Sequence, residues 1–276
     1  MNSSIDSSIT GAFSKSIWSK FRKGIEEYRL IENNDKIAVC ISGGKDSMLM
    51  AKCMQRLQKY GNIDFDVEYI VMDPGYADEN RKKIEDNAKL LDIPIRIMNT
   101  RIFESTEKVE KNPCFLCARL RRGWLYKTAQ ELGCNKIALG HHFDDVIETI
   151  LMGMLYGSQV QTMMPKLHST NFPGMELIRP MYYIREDDII QWRDTYNLHF
   201  LQCACRFTDT CTSCRDDGTS ASKRMEIKNL IATMKKGNPY VEGNIFKSMY
   251  NVNLSTVIQY KDKNGVRHNF LEEYDQ

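Results

Sequence analysis

The chain predicts an α/β fold: a mostly parallel sheet with helices on both faces, and a small C-terminal appendage. Short apolar runs rich in β-branched residues, such as "KIAVCI" (Lys36 to Ile41) and "VEYIVM" (Val67 to Met72), alternate with segments of helical length. Such near-continuous apolar runs mark parallel strands covered on both faces. The stretches "SGGKDS", "DPG" and "GHHFDD" each follow directly on one of these runs, so they gather on the carboxyl rim of the sheet, where open α/β sheets bind ligands.

The opening, "MNSSIDSSITGAFSKSIWSK", is polar and lacks the apolar core of a secretory signal. It reads as a loose end passing into a helix, giving a helical segment over 1–35. A main domain follows over 36–200. After the strand "KIAVCI", Asp46 is a candidate cap for a helix reaching about Lys59. "VEYIVM" is the second strand and Asp78 to Leu91 a charged helix. "PIRIMN" is a strand and Phe115 to Leu132 a long helix. "KIALG" (Lys136 to Gly140) is a further strand, before a helix from Asp144 to Tyr156. The stretch Gly157 to Gly174 reads as a loop over the site. "ELIRP" is a short strand, Arg185 to Tyr196 a helix and "HFLQCAC" a last strand. The extension 201–276 holds a cysteine-rich stretch of turn composition. Beyond it come a helix capped by Ser222 and running through Met234, and a hairpin about Asn264-Gly265.

Composition is that of a globular protein: 42% hydrophobic, 27% charged, net charge +2. A near-neutral sum says little about partners, because a local basic face is hidden in it. No run of eighteen apolar residues is present, so no membrane is expected, and a cytoplasmic address is the default. Nine cysteines at such an address favour metal or sulfur chemistry over disulfides. Cys40, Cys53 and Cys134 lie in apolar patterns and read as small buried hydrophobes.

"SGGKDS" (Ser42 to Ser47) matches neither GxxxxGK[ST] nor GxGxxG. Gly43 and Gly44 allow backbone angles closed to other residues and close approach by a large anion. The N–H groups of the following helix start would meet phosphate oxygens. Lys45 adds a mobile charge, Ser42 and Ser47 add hydroxyls, and Asp46 suits helix capping or a magnesium ion. Cys114 and Cys117 form a CxxC, two thiolates able to share a metal centre or act as a redox pair, followed by Arg119, Arg121 and Arg122. Cys211 and Cys214 form a second CxxC and Cys203 and Cys205 a CxC, so a four-thiolate zinc site stays open. In "GHHFDD", Asp144 and Asp145 complement a helix N-terminus. Asp73 ends the second strand on the same rim, and Glu148 shares a helix face with Asp144, pointing to the site or to solvent.

"SGGKDS", "PCFLCARLRRGWLY", "GHHFDDVIETILM" and "LIRP", in this order, resemble the PP-loop ATP pyrophosphatases, whose motif is SGGxDS, and within them the TtcA/TtuA group of tRNA 2-thiolation enzymes. The resemblance covers about Lys36 to Phe200. It implies ATP split between its α and β phosphates, with Ser42, Gly43, Gly44, Lys45, Asp46 and Ser47 around the phosphates. Asp73, His141, Asp144 and Asp145 join them at the nucleotide, with Asp145 toward magnesium or substrate. His141 also has a reading as a packed or capping residue. The resemblance further implies a [4Fe–4S] cluster on three cysteines, Cys114, Cys117 and a later one after a strand. Cys203 fits that place first, with Cys205, Cys211 and Cys214 as alternatives, because the chain has "CAC" where the cytidine thiolases have CxxC, and "CTSC" begins eight residues after Cys203.

Lys45, Asp145 and the three cluster cysteines are thus the expected catalytic set, and tRNA the expected partner. Sulfide or a cysteine desulfurase is the expected sulfur donor, and a homodimer is compatible with the reading. No cysteine precedes Cys40, so the N-terminal zinc pair of the uridine-modifying relatives is absent and the cytidine reading is favoured. Arg119 to Arg122, Lys127, Lys136, Lys235 and Lys236 are candidates for a basic RNA path, and Trp124 or Tyr126 for base stacking. The rivals are an amide-forming or lysidine-like PP-loop ligase, a small-molecule sulfur enzyme of the same fold, and a zinc-bound RNA-binding module.

Overall fold

The computed structural model describes residues 2–103, 113–201, 223–272 and 274. At its centre six strands, β1 (Asp35–Ile41), β2 (Phe65–Asp73), β3 (Ile95–Asn99), β4 (Lys136–Ala138), β5 (Lys166–His168) and β6 (Glu176–Ile178), lie in the order β3-β2-β1-β4-β6-β5. All neighbours are parallel except the edge strand β5, antiparallel to β6. Helix α3 (Lys45–Tyr60) joins β1 to β2, α4 (Asp78–Leu90) joins β2 to β3, α5 (Pro113–Glu131) leads into β4 and α6 (Phe143–Gly157) leaves it.

Alternation along β1 decides what each helix covers. Ile37, Val39 and Ile41 face Leu49, Met50, Met54 and Ile84 of α3 and α4, while Ala38 and Cys40 face Tyr126 and Ala129 of α5. The expected two-sided α/β sheet is what forms. Cys40, Cys53 and Cys134 are buried as read, and burial pushes the Cys40 thiol up to about 12 and the Cys134 thiol up to about 11.

The N-terminus corrects the loose-end reading. Helix α1 (Asn2–Thr10), a π turn (Ser14–Trp18) and α2 (Ser19–Glu27) bury Ile5, Ile9, Phe13, Ile17, Phe21 and Ile25 in the same cluster as β1 and α3. These six residues are spaced by four, which overshoots an α-helical turn by about 40° at each step. The break at Gly11–Phe13 and the wider π turn, with Trp18 N–H donating to Phe13 O at 3.2 Å, return the stripe toward the core. Asp6 pairs with Lys52 and Arg56 and ties α1 to α3.

Other expectations shift as well. The stretch Gly157 to Gly174 is not all loop: it contributes β5. Residues 199–201 form no strand, because Leu201 N–H donates to Gly43 O at 3.1 Å and His199 O accepts from the Asn87 side chain, so the backbone is spent on the glycine loop and α4. Lys136 is 2% exposed and paired with Asp35 at 2.7 Å and Glu176 at 3.2 Å, which removes it from any RNA path. Tyr126 is buried and stacked on Phe172 at 5.0 Å, a core role rather than base stacking.

Beyond β6 lie α7 (Glu186–Thr195), α8 (Lys223–Gly237), α9 (Val241–Ser248) and the hairpin β7 (Gln259–Lys261) and β8 (Arg267–Asn269), which turns at Asn264-Gly265 as expected, with Gly265 at φ +81°. Ser222, proposed as the cap of α8, lies outside the described residues. Among the described residues no helix is long and apolar enough to cross a membrane.

Candidate active site

Strand order reverses between β1 and β4: β1 leads to β2 on one side and β4 to β6 on the other. The loops leaving these two strands part and open a crevice beyond their carboxyl ends, the place where open α/β sheets bind ligands. "SGGKDS" and "GHHFDD" form its two lips.

On the first lip Gly43 has φ +86°, and a Cβ there would lie 2.6 Å from Ile84 Cγ1 and 3.1 Å from Leu201 Cδ1. Conformation and space both require glycine. Asp46 is not the cap of α3; Gly44 is, with no side-chain bond. The Ser47 hydroxyl instead accepts from Ser42 N–H at 3.1 Å and donates to Gly44 O at 3.0 Å, locking the loop. The first N–H groups of α3 have no partner within the helix and face outward at the positive end of its dipole. Gly140 lets the second lip close on this helix start: a Cβ there would be 3.1 Å from Ser47 N and 3.2 Å from Ser47 Cα.

On the second lip His142 is the N-cap of α6, and its N–H donates to Asp145 Oδ2 at 3.0 Å in a capping box. Asp144 accepts from Glu186 N–H at 2.7 Å and Arg185 Nη2 at 3.0 Å, latching α7 to the site. Arg179 Nε, which can only donate, meets His141 Nδ1 at 3.3 Å and leaves the imidazole proton on Nε2. Burial lowers His141 to about 4, with Asp145 opposing, so the ring is neutral at pH 7. Asp73 spends its carboxylate on the β2 turn, accepting from Gly75 N–H at 2.8 Å, Tyr76 N–H at 2.7 Å and Arg81 Nη1 at 3.2 Å.

A chain of charges crosses the crevice. Lys45 Nζ lies 3.2 Å from Asp46 Oδ1 and 3.1 Å from Glu186 Oε1, and Lys228 Nζ is 2.6 Å from Glu186 Oε2. Burial works against both charges at this pair, but the contacts win: Lys45 stays above its ordinary value, and Lys228 with Lys45 takes Glu186 down to about 2. Arg224 reaches Asp145 Oδ1 at 3.4 Å and Glu148 Oε2 at 3.0 Å. Glu148 points inward, and burial raises it to about 7 despite Arg224. Asp46 Oδ1 is buried and meets the Lys45 ammonium, so a cation beside phosphate could take its place there once Lys45 turns to phosphate. Among the described residues no three His, Cys, Asp or Glu side chains form a complete metal site. Magnesium draws most of its ligands from phosphate and water.

Positions 114 and 117 lie nearly one turn apart at the start of α5. The positive end of a helix dipole favours thiolate. Cys117 is half-buried against the cluster on the α3 side, whereas Trp124 to Ala129 of the same helix pack on the opposite face of the sheet. Two cysteines at this spacing, with Cys117 half-buried, fit an iron–sulfur group. Cys203, Cys205, Cys211 and Cys214 lie outside the described residues.

Residues 14–205 match the PP-loop domain family. The chain belongs to the PP-loop family. As a PP-loop protein it is similar to the tRNA-cytidine(32) 2-sulfurtransferase of Coxiella burnetii, with 35% identity over 246 residues that cover 87% of this chain and 91% of the relative. It is also 35% identical over 245 residues to the same-named protein of Paraburkholderia phytofirmans, covering 87% of this chain and 69% of that one. In fold it resembles the U34-tRNA thiolase NcsA from Methanococcus maripaludis, solved with its [4Fe-4S] cluster, at TM-score 0.64 and 22% identity over 85% of this chain and 79% of that one.

The PP-loop motifs did not announce Arg185, Glu186, Arg224 and Lys228, which the structure adds to the crevice. One signal was legible: Arg224 and Lys228 sit four apart beside the buried Ile227 and Ile231, so they share one side of α8.

Proposed function

We propose that this PP-loop protein is an ATP-dependent, iron–sulfur-dependent tRNA thiolase that adenylates the C2 oxygen of cytidine 32 and replaces it with sulfur. The C2 oxygen attacks the α-phosphorus, the bond to the bridging oxygen breaks and pyrophosphate leaves. Sulfur then adds at C2, and the C2–O bond breaks to release AMP with the original oxygen. The α3 N–H groups, Lys45 and the Ser42 and Ser47 hydroxyls hold phosphate oxygens where charge grows. Glu186, which occupies Lys45 and Lys228, yields both cations to the incoming phosphates. Arg224 turns from Asp145 and Glu148 toward the same charge. Asp46 and Asp145 hold magnesium, which shares that charge. Neutral His141 donates from Nε2 to phosphate or base. Cys114, Cys117 and Cys203 would hold the [4Fe–4S] cluster, which would present sulfide-level sulfur to C2.

The observation that carries this reading is the anchoring of both flanks of the cysteine-bearing segment at the nucleotide lips. Leu201 N–H bonds Gly43 O, and Arg224 pairs with Asp145. Cys203 follows Leu201 by two residues, no more than about 7 Å of extended chain. Cys117 packs on the same cluster as Leu201. The start and the end of the cysteine-bearing segment are thereby tied to the glycine loop and to Asp145, which supports a reading in which its thiolates serve the same crevice.

Anaerobic reconstitution with iron and sulfide, followed by metal analysis of single serine variants at 114, 117, 203, 205, 211 and 214, tests the ligand set. C114S, C117S and C203S are expected to lose the cluster and the other three to keep it. A full cluster in C203S would move the third ligand elsewhere, and zinc without iron in the unmodified protein would overturn the reading.

A further inference from the structure

Beside the crevice lies a cavity of about 340 Å³ that no step above uses, walled by Phe143, Tyr183, Phe246 and Tyr250 with Lys23 and Lys247 at its edge. Phe246 stacks on Phe143 at 4.6 Å and lies 5.7 Å from Tyr183 and 5.5 Å from Tyr250. The walls are pre-set. Tyr183 donates to Glu27 at 2.7 Å, Tyr28 and Tyr183 share a hydrogen bond at 2.5 Å, and Tyr28 also bonds the Tyr250 hydroxyl. Lys23 Nζ sits 4.6 Å from the Tyr183 ring centre. Among the described residues both charged groups lining the cavity are cations.

From this geometry we infer that the cavity is a binding site for one unpaired nucleotide of the RNA substrate, other than the reacting one; the inference rests on the tRNA reading above. Its volume is at the small end of ligand pockets, about 300–1,000 Å³, and admits one flat ring rather than a folded peptide. Aromatic walls stack bases without regard to sequence, and Lys247 meets a phosphate, while Lys23 is shared with Glu27 at 3.8 Å just outside the lining. Lys45, Asp145 and Arg224 do not line it, so it is not where phosphorus or sulfur is transferred. It is nonetheless next to that place: Phe143 follows His142, and Arg185, whose guanidinium lies 4.8 Å from the Phe143 ring centre, bonds Asp144. A base seated here would fix the register of a single-stranded loop while a neighbouring base enters the crevice.

The test is binding of an unmodified anticodon stem-loop RNA to the full chain, with thermal melting to confirm that each variant folds. Y250A is expected to weaken binding about tenfold, within the range of one lost base stack. Y250F keeps the ring and is expected to bind like the unmodified protein. K247Q is expected to reduce the slope of binding against salt by about one unit. ATP turnover without RNA is expected to stay the same in all three. Unmodified protein and Y250A binding the RNA within twofold of each other would overturn the inference and leave the tRNA reading standing. Failure of the unmodified protein to bind any RNA would sink both.

Discussion

His141 shows how one residue's surroundings choose its chemistry. A histidine outside a protein is partly charged near neutrality, but burial beside the Arg179 donor takes this one to about 4. Because its folded value lies below the ordinary 6.5, the unfolded chain binds more protons between those limits. The neutral ring therefore contributes stability that is complete above pH 6.5 and lost as pH falls toward 4. Urea melts across that window are expected to show stability rising with pH in the unmodified protein and a flatter dependence in H141N; equal slopes would deny the neutral ring. In the sequence the pair "HH" did not say which histidine caps α6 and which ring meets Arg179. That depends on Arg179, thirty-eight positions away. Gly140 carries the same lesson, since only the approach of Ser47 shows why its side chain must be a hydrogen.

At the level of elements, what was legible followed from local pattern. Strands β1 and β2, α4, α6 and the terminal hairpin stand close to where apolar runs, caps and Asn264-Gly265 place them. What was missed depended on distant partners. The stripe from Ile5 to Ile25 hides in a polar composition because its spacing of four fits neither a strand nor a regular α-helix. Residues 199–201 have strand composition, yet their backbone answers Gly43 and Asn87. Helix α8 is the element whose importance the sequence understated, because the carboxylates that Arg224 and Lys228 meet come from α6 and α7. If those cations serve the phosphates, R224A should lower kcat for ATP-driven turnover by about tenfold or more, since single donors to developing charge are worth up to about a hundredfold or beyond. A kcat within twofold of the unmodified protein would reduce Arg224 to a tie between helices.

In the whole molecule, distant elements converge on one crevice. The reversal of strand order between β1 and β4 opens the crevice, the glycine loop and α6 supply its lips, and α5 packs Tyr126 and Ala129 on one face of the sheet and Cys117 on the side of α3. The chain beyond β6 returns twice to the same place, at Leu201 and at Arg224. None of these contacts is local in sequence, so the motifs suggested the chemistry and only the fold joined them. The most direct measurement is nucleoside analysis by mass spectrometry of unmodified tRNA incubated anaerobically with reconstituted protein, ATP, magnesium and sulfide. The account predicts 2-thiocytidine at position 32, formed only with ATP and lost in K45A and C117S. Thiolation by C117S at the unmodified rate, or ATP turnover with tRNA that leaves no thiolated nucleoside, would contradict it.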